Sequence, residues 1–145
     1  MRVIIVSGSV CTGKTTLAKK LARKHGYNYI DLNKLIIEKG LYSGYDKKLK
    51  TRIMDINKVK RFLIRTIKKY NGDGLVIDSH MSHYLPAKYV DICIITKTSL
   101  RKLKKRLEKR NYSRRKIEEN MQAEILDVCL AEALENKHNV KVVNT

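Results

Sequence analysis

Residues Gly8-Ser9-Val10-Cys11-Thr12-Gly13-Lys14-Thr15 set two glycines around four residues and follow the second with a lysine and a hydroxyl side chain. This is the full G-x-x-x-x-G-K-[ST] pattern of a phosphate-cradling loop. Each residue type answers a physical need. Glycine lacks a Cβ, so the backbone at Gly8 and Gly13 can approach an anion closely. The N–H groups of Val10, Cys11, Thr12 and Gly13, together with the N-terminus of the helix that follows, converge on phosphate oxygens. Lys14 brings positive charge to the β- and γ-phosphates, the Thr15 hydroxyl is a Mg²⁺ ligand, and Thr16 is next in line for the α-phosphate. The loop therefore predicts binding of ATP or GTP. It does not say which reaction follows.

A second constellation lies at Asp78-Ser79-His80, directly after the apolar run Leu75-Val76-Ile77. Ligands of open α/β sheets bind beyond the C-terminal ends of the strands. A carboxylate at Asp78 thus belongs beside Thr15 as a second Mg²⁺-organising group. His80, two residues on, can hold or deprotonate an attacking water or hydroxyl. His83 has no such support and is expected at the surface. Arg106 and Arg110 are four apart and share one helix face, where a guanidinium pair can stack on a base or neutralise phosphate charge. Arg114 and Arg115 are expected just beyond, in a mobile hairpin. Cys11 is the odd member of the loop: it reads either as an oxidisable thiol near a helix N-terminus or as a small loop filler.

Positioning these groups requires strands that alternate with helices. Strands are expected at Arg2–Ser7, Tyr27–Leu32, Leu75–Asp78, Tyr89–Ile95 and Val140–Val143. Thr15–Lys24 reads as a helix with Leu17, Leu21 and Ala22 on its apolar face, and a helical turn is expected near Lys34–Lys39. Leu41–Asp46, punctuated by Gly40 and Gly44, reads as loop. Asn57–Tyr70 is amphipathic through Val59, Phe62, Leu63, Ile67 and Tyr70. Ser99–Arg110 is a basic helix held down by Leu100, Leu103 and Leu107. After a break at Asn111–Ser113, one long helix is expected to about Glu135. The alternation predicts a single three-layer α/β domain over residues 1–145, of the P-loop NTPase class, with a five-stranded parallel sheet and right-handed crossovers.

Composition narrows the setting. With 43% hydrophobic and 32% charged residues the chain is that of a soluble globular domain. Its longest apolar runs, at 3–6 and 92–95, have strand length and fall far short of a membrane span. The N-terminus leads straight into a strand without a signal-peptide pattern, and the three cysteines lack metal-ligand spacing. A cytoplasmic location with reduced thiols is therefore expected. The 32 Lys+Arg against 14 Asp+Glu give a net charge of +18. Such a field draws polyanions by counterion release, although Lys-rich surfaces also arise as compositional bias.

With these residues assembled, the chain resembles the adenylate kinase isoenzyme six family, a nuclear adenylate kinase/ATPase group with archaeal members. The carriers are the P-loop, Leu41-Tyr42-Ser43-Gly44-Tyr45-Asp46, Val76-Ile77-Asp78-Ser79-His80, Arg106-Leu107-Glu108-Lys109-Arg110-Asn111-Tyr112 and Glu119-Asn120-Met121-Gln122-Ala123-Glu124-Ile125. The resemblance covers nearly the whole chain. It implies a nucleoside monophosphate kinase fold, with a monophosphate-binding insertion at about 33–71 and a short lid at about 110–115. It further implies Mg²⁺-dependent phosphoryl transfer between ATP and AMP, ATP hydrolysis, and a role in late maturation of the small ribosomal subunit through binding the ribosomal protein uS11. On matching positions, Lys14 and Thr15 serve phosphates and Mg²⁺, Asp78 and His80 form the motif tied to hydrolysis, and Arg110 lies in the lid and contacts ATP.

This sequence departs from the family in three places. The family commonly has Pro-Gly where Val10-Cys11 stands here. Many adenylate kinases carry an arginine for the acceptor phosphate near position 37, where this chain has Ile37. Relatives continue into a last helix after the position of Thr145, so a natural shortening or a truncation is expected. Two functional readings follow: an adenylate kinase with a side ATPase, or an ATPase switch that gates binding to a ribosomal protein or rRNA. The net charge and Ile37 favour the second, while the Leu-Tyr-x-Gly-Tyr-Asp segment keeps the first. A non-catalytic RNA-binding module would leave the complete P-loop unexplained.

Overall fold

Valine and isoleucine carry two substituents on Cβ and fit a pleated, two-sided packing surface, and they dominate the segments that become the central strands. In the computed structural model, which describes residues 1–48 and 51–145, these are β1 (Arg2–Gly8), β2 (Asn28–Asp31), β5 (Gly74–Asp78), β6 (Ile92–Lys97) and β7 (Val140–Asn144). They form one parallel sheet in the order β2-β5-β1-β6-β7. β3 (Tyr42–Asp46) and β4 (Thr51–Met54) form a separate antiparallel pair. The expected five-stranded parallel α/β architecture is thus observed.

Helices cover both faces of the sheet: α1 (Lys14–His25), α2 (Leu32–Glu38), α3 (Ile56–Lys69), α4 (Leu100–Lys109), α5 (Arg114–Ile125) and α6 (Val128–Glu135). On one face, Ala18 and Ala22 of α1 pack on Ile4, Val6, Val76 and Ile94. The other face buries Ile36 of α2, Val59, Leu63 and Ile67 of α3, and Ala133 of α6 against Val3, Ile5, Leu75, Ile77 and Ile95. Side-chain oxygens of Asp31, Asp55, Ser99 and Ser113 accept from backbone N–H groups in the first turns of α2, α3, α4 and α5. α1 differs. Its N-cap is Gly13, which has no side chain to offer, so its first-turn donors point to the loop end free of a side-chain cap.

Several sequence expectations need correction. Leu41–Asp46 is not loop: Tyr42–Asp46 pairs with Thr51–Met54, and a shift in register between Tyr42 and Gly44 masks the alternation of a regular strand. The fourth core strand starts at Ile92, not Tyr89, because Ala87–Tyr89 coils into a 3₁₀ turn after Pro86. The helix expected to run unbroken to Glu135 is divided at Asp127, whose φ of 51° is left-handed. Leu100 does not hold α4 down; it is 42% exposed, and Leu103 and Leu107 carry the contact alone. Arg114 and Arg115 are in no hairpin but open α5, paired with Glu118 and Glu119 one turn on. The span 33–71 contains α2 from its second residue, β3, β4 and α3, and its residues 49 and 50 lie outside the described residues. Among the described residues, no helix is long and apolar enough to cross a membrane.

Candidate functional site

β1 is central, with β5 on one side and β6 on the other, so the chain reverses direction of travel across the sheet at the C-terminal end of β1. The P-loop leaves β1 at that point. Gly8 has φ 143°, and a Cβ there would lie 2.4 Å from Thr96 Oγ1 and 2.7 Å from the Thr96 carbonyl oxygen on β6. Only glycine lets the loop turn this close to its neighbour. The Thr12 hydroxyl donates to the Ser9 carbonyl at 2.6 Å and lies 2.7 Å from the Thr96 hydroxyl, which ties the loop's interior to β6.

Lys14 is buried and its Nζ donates to the Ser9 carbonyl at 2.7 Å, so the loop braces its own cation. Burial pushes the Lys14 pKa below its ordinary value, and Asp78 opposes that shift. The ammonium thus sits where an arriving phosphate would supply compensating charge that the protein provides only in part. Thr15 Oγ1 donates to Asp78 Oδ2 at 2.8 Å, and the Tyr29 hydroxyl donates to the same carboxylate oxygen at 2.8 Å. Asp78 terminates β5 next to β1, so sheet register alone brings it opposite the loop. Burial, helped by the hydrogen bond to Asp78, holds the Tyr29 hydroxyl well above its usual pKa and keeps it a donor.

His80 is half-buried on the turn after β5. Its burial, then Lys14 and His83, lower its pKa to about 4. The imidazole is therefore neutral near pH 7 and resists protonation. Arg106 reaches back from α4, with Nη1 donating to the Cys11 carbonyl at 3.0 Å. Arg110 stands at the C-terminal end of α4 and donates to the Tyr112 hydroxyl at 3.3 Å. Lys14, Thr15, Asp78, His80, Arg106 and Arg110 border one open cavity of about 860 Å³ that runs from the P-loop to the C-terminal end of α4. Val10, Cys11, Gly13, Lys14, Thr15, Thr16, Asp78, His80, Arg106 and Arg110 line it, whereas Gly8 and Thr12 support it from behind.

His83, expected at the surface, is buried beneath the loop at 1% exposure. Its Nδ1 lies 2.7 Å from Ser7 Oγ, and its Nε2 lies 3.7 Å from Glu132 Oε1 on α6. Polarity alone suggested an exposed position; the 3₁₀ turn Ser82–Tyr84 instead folds the ring inward. Three further residues escaped sequence reasoning. Tyr29 and Asp31 stand on the edge strand β2: the Tyr29 hydroxyl donates to Asp78, Asp31 lines the cavity in register with Asp78, and Asp31 at a strand terminus carried the same positional signal as Asp78. Glu124 on α5 is buried and binds the P-loop directly, for which no local pattern prepares. Ile37 is half exposed on α2 and stands outside the cavity lining.

The donor set suits a Mg²⁺ ion bound with a triphosphate: a threonine hydroxyl and a carboxylate, both hard oxygen ligands, lie within hydrogen-bond distance of each other close to Lys14.

Comparison with known proteins bears on the family and the fold. A family model described as an AAA domain matches residues 4–127. The protein named "Putative adenylate kinase" of Thermococcus kodakarensis is 37% identical over 143 residues, covering 99% of this chain and 76% of that protein. The protein of the same name from Pyrococcus furiosus is 36% identical over 143 residues, with 99% and 74% covered. Among solved structures, a deoxyadenosine kinase from M. mycoides with bound dATP superposes with a TM-score of 0.57 at 15% identity, covering 98% of this chain and 90% of that one. A gluconokinase from Sinorhizobium meliloti 1021 gives a TM-score of 0.55 at 14% identity, covering 99% and 82%. At such identities the structural likeness speaks for the fold alone.

Proposed function

The chain belongs to the AAA-domain family and to the archaeal group named putative adenylate kinase, and from that premise we propose that it is a Mg²⁺-dependent adenylate kinase with ATPase activity. It is a kinase-like phosphotransferase. The observation that carries the finer reading is the 2.8 Å contact between Thr15 and Asp78 beside the braced Lys14. One residue from the P-loop helix and one from the neighbouring strand end thereby face the place where terminal phosphates would lie.

In this reading, Lys14 and the N–H groups of the loop bind the β- and γ-phosphates of ATP. Thr15 and Asp78 would hold Mg²⁺, which would screen charge on the phosphoryl oxygens. Tyr29 keeps Asp78 oriented by donating to its Oδ2. Arg106 and Arg110 approach the nucleotide from α4 and neutralise charge that builds up as the bond between the γ-phosphorus and the β,γ-bridging oxygen breaks. With AMP as acceptor, a phosphate oxygen of AMP attacks the γ-phosphorus and two ADP result. With water as acceptor, neutral His80 holds the attacking water by a hydrogen bond, the water's proton passes to the phosphate formed, and the products are ADP and phosphate.

The alternative is an ATPase switch with weak or absent kinase activity, acting as an assembly factor that binds a ribosomal protein or rRNA. The resemblance sets an acceptor-binding arginine near position 37, where this chain has Ile37, and this departure favours the switch, as does the net charge of +18. The family resemblance points such a switch toward small-subunit maturation and uS11.

Turnover of Mg²⁺–ATP, with and without AMP, separates the two when ADP and phosphate are followed independently. Two ADP per cycle without free phosphate supports the kinase. Phosphate release indifferent to AMP supports the switch. Lys14→Ala is expected to abolish ATP binding, whereas Asp78→Ala with His80→Ala keeps binding and removes turnover. Wild-type affinity in the first variant, or retained turnover in the second, contradicts these assignments.

A further inference from the structure

Glu124 is an unusual residue to find inside a protein this basic: a carboxylate 5% exposed, on a helix far in sequence from the P-loop. Its two oxygens are fully engaged. Oε1 accepts from Ser9 Oγ at 3.2 Å and from Lys97 Nζ at 2.7 Å, and Oε2 accepts from the Thr98 N–H at 3.0 Å. Lys97 also donates to the Glu124 carbonyl at 3.0 Å and forms an ion pair with Asp127. The network joins three elements: the P-loop through Ser9, the end of β6 through Lys97 and Thr98, and the break between α5 and α6 through Asp127.

Ser9 is where this network meets phosphate chemistry. Its carbonyl receives Lys14 Nζ at 2.7 Å and Thr12 Oγ1 at 2.6 Å, and its hydroxyl donates to Glu124. The position of the Ser9 peptide therefore sets where the Lys14 ammonium stands. Within the loop, the Ser9 carbonyl is held by the Thr12 N–H at 3.3 Å and by the Thr12 hydroxyl, while the Ser9 side chain is tied to Glu124 outside the loop. A buried carboxylate with its charge matched by Lys97 is a stiff external anchor.

We infer that Glu124 is a positioning residue of the nucleotide site, acting through Ser9 to hold Lys14 at the triphosphate, and that it couples α5 to nucleotide occupancy. The inference rests on the phosphotransferase reading above. It assigns Glu124 no contact with substrate. Because the linkage is reciprocal, a bound triphosphate should also tighten α5.

The test compares wild type, Ser9→Ala, Glu124→Gln and the double variant, each checked for native circular dichroism and thermal midpoint. The dissociation constant for Mg²⁺–ATP is measured by calorimetry, and turnover in parallel. Wild-type binding and turnover test the phosphotransferase reading by themselves; the comparison among variants tests Glu124. Expected are a roughly tenfold weaker ATP affinity in Glu124→Gln, a severalfold loss in Ser9→Ala, and a double variant no worse than Glu124→Gln alone, as two residues acting along one path require. Unchanged ATP affinity in Glu124→Gln with a lowered thermal midpoint would make Glu124 a strut for α5 only and overturn the inference, as would effects that multiply in the double variant. Should Glu124→Gln fail to fold, Ser9→Ala decides alone: it removes one hydroxyl and leaves Lys97 and Thr98 on Glu124, so wild-type affinity there is equally fatal.

Discussion

At the scale of single residues, the site depends on close approaches that tolerate no added atom. Gly8 is the sharpest case. Its φ of 143° excludes other residues at modest cost, and the Thr96 backbone stands where a Cβ would go. Gly8→Ala must therefore either strain the loop by roughly 1–3 kcal/mol or push it away from β6. Pushing it away breaks the Thr12–Thr96 contact and moves Ser9, and with Ser9 goes Lys14. The expected outcome is a lower urea midpoint together with loss of detectable ATP binding. A variant that binds ATP normally would show that the Gly8–Thr96 approach does not govern the cradle. Such residue-level constraints were readable from spacing alone, because the G-x-x-x-x-G-K-T pattern encodes backbone geometry, and backbone geometry is local. Roles that pass through space were not readable: nothing adjacent to Glu124 or Tyr29 in the chain signals that they touch Ser9 and Asp78.

At the scale of elements, what the sequence discloses tracks how uniform the environment of each element is. Strands buried on both faces, such as Leu75–Asp78, announce themselves as unbroken apolar runs. The α3 stripe of Val59, Leu63 and Ile67 is equally plain. The β3–β4 pair is not, since Ser43-Gly44-Tyr45 carries no regular alternation and its register is irregular. The break at Asp127 has neither Pro nor Gly to mark it and is held from outside by Lys97. The same limit hid the packing of α6 on the turn after β5. There His83 contacts Ser7 and approaches Glu132, the Tyr84 hydroxyl donates to Glu132, and His138 Nε2 lies 2.8 Å from the His83 carbonyl. Burial lowers the His83 pKa, with Glu132 opposing and His138 reinforcing. The sign of the pH effect follows. The unfolded chain takes up a proton at this histidine near pH 6.5, while the folded one resists it until lower pH. The resulting stability is complete above that range and is lost as pH falls toward the folded pKa. His80 adds a contribution of the same sign. Denaturant midpoints should thus drop between pH 7.5 and pH 5, and His83→Asn should shrink the drop without erasing it. An equal drop in the variant would remove His83 from the account.

At the scale of the whole molecule, the excess charge needs an explanation that the fold supplies only in part. Cations in the last turns of α1, α3 and α4, among them Lys24, Lys69 and Lys109, complement the negative ends of the helix dipoles. Others line the cavity, where a triphosphate would meet them. Neither purpose accounts for Arg101, Lys102, Lys104 and Lys105, which are exposed along α4 with Glu108 as that helix's one acidic side chain. Self-repulsion among them is a standing cost that only partner anions or salt relieve. A net charge of +18 therefore predicts a particular kind of binding: tight, indifferent to sequence and dominated by released counterions. Fluorescence anisotropy with a labelled single-stranded RNA of arbitrary sequence checks this. Affinity should fall by about tenfold or more between 50 and 200 mM salt, as expected for several neutralised phosphates. Charge reversal at Lys102, Lys104 and Lys105 should flatten that salt dependence while leaving Mg²⁺–ATP binding intact, since these side chains do not line the cavity. Binding that is insensitive to salt, or a salt dependence untouched by the reversals, would locate the polyanion contact away from α4 and leave the charge of that helix without a role in it.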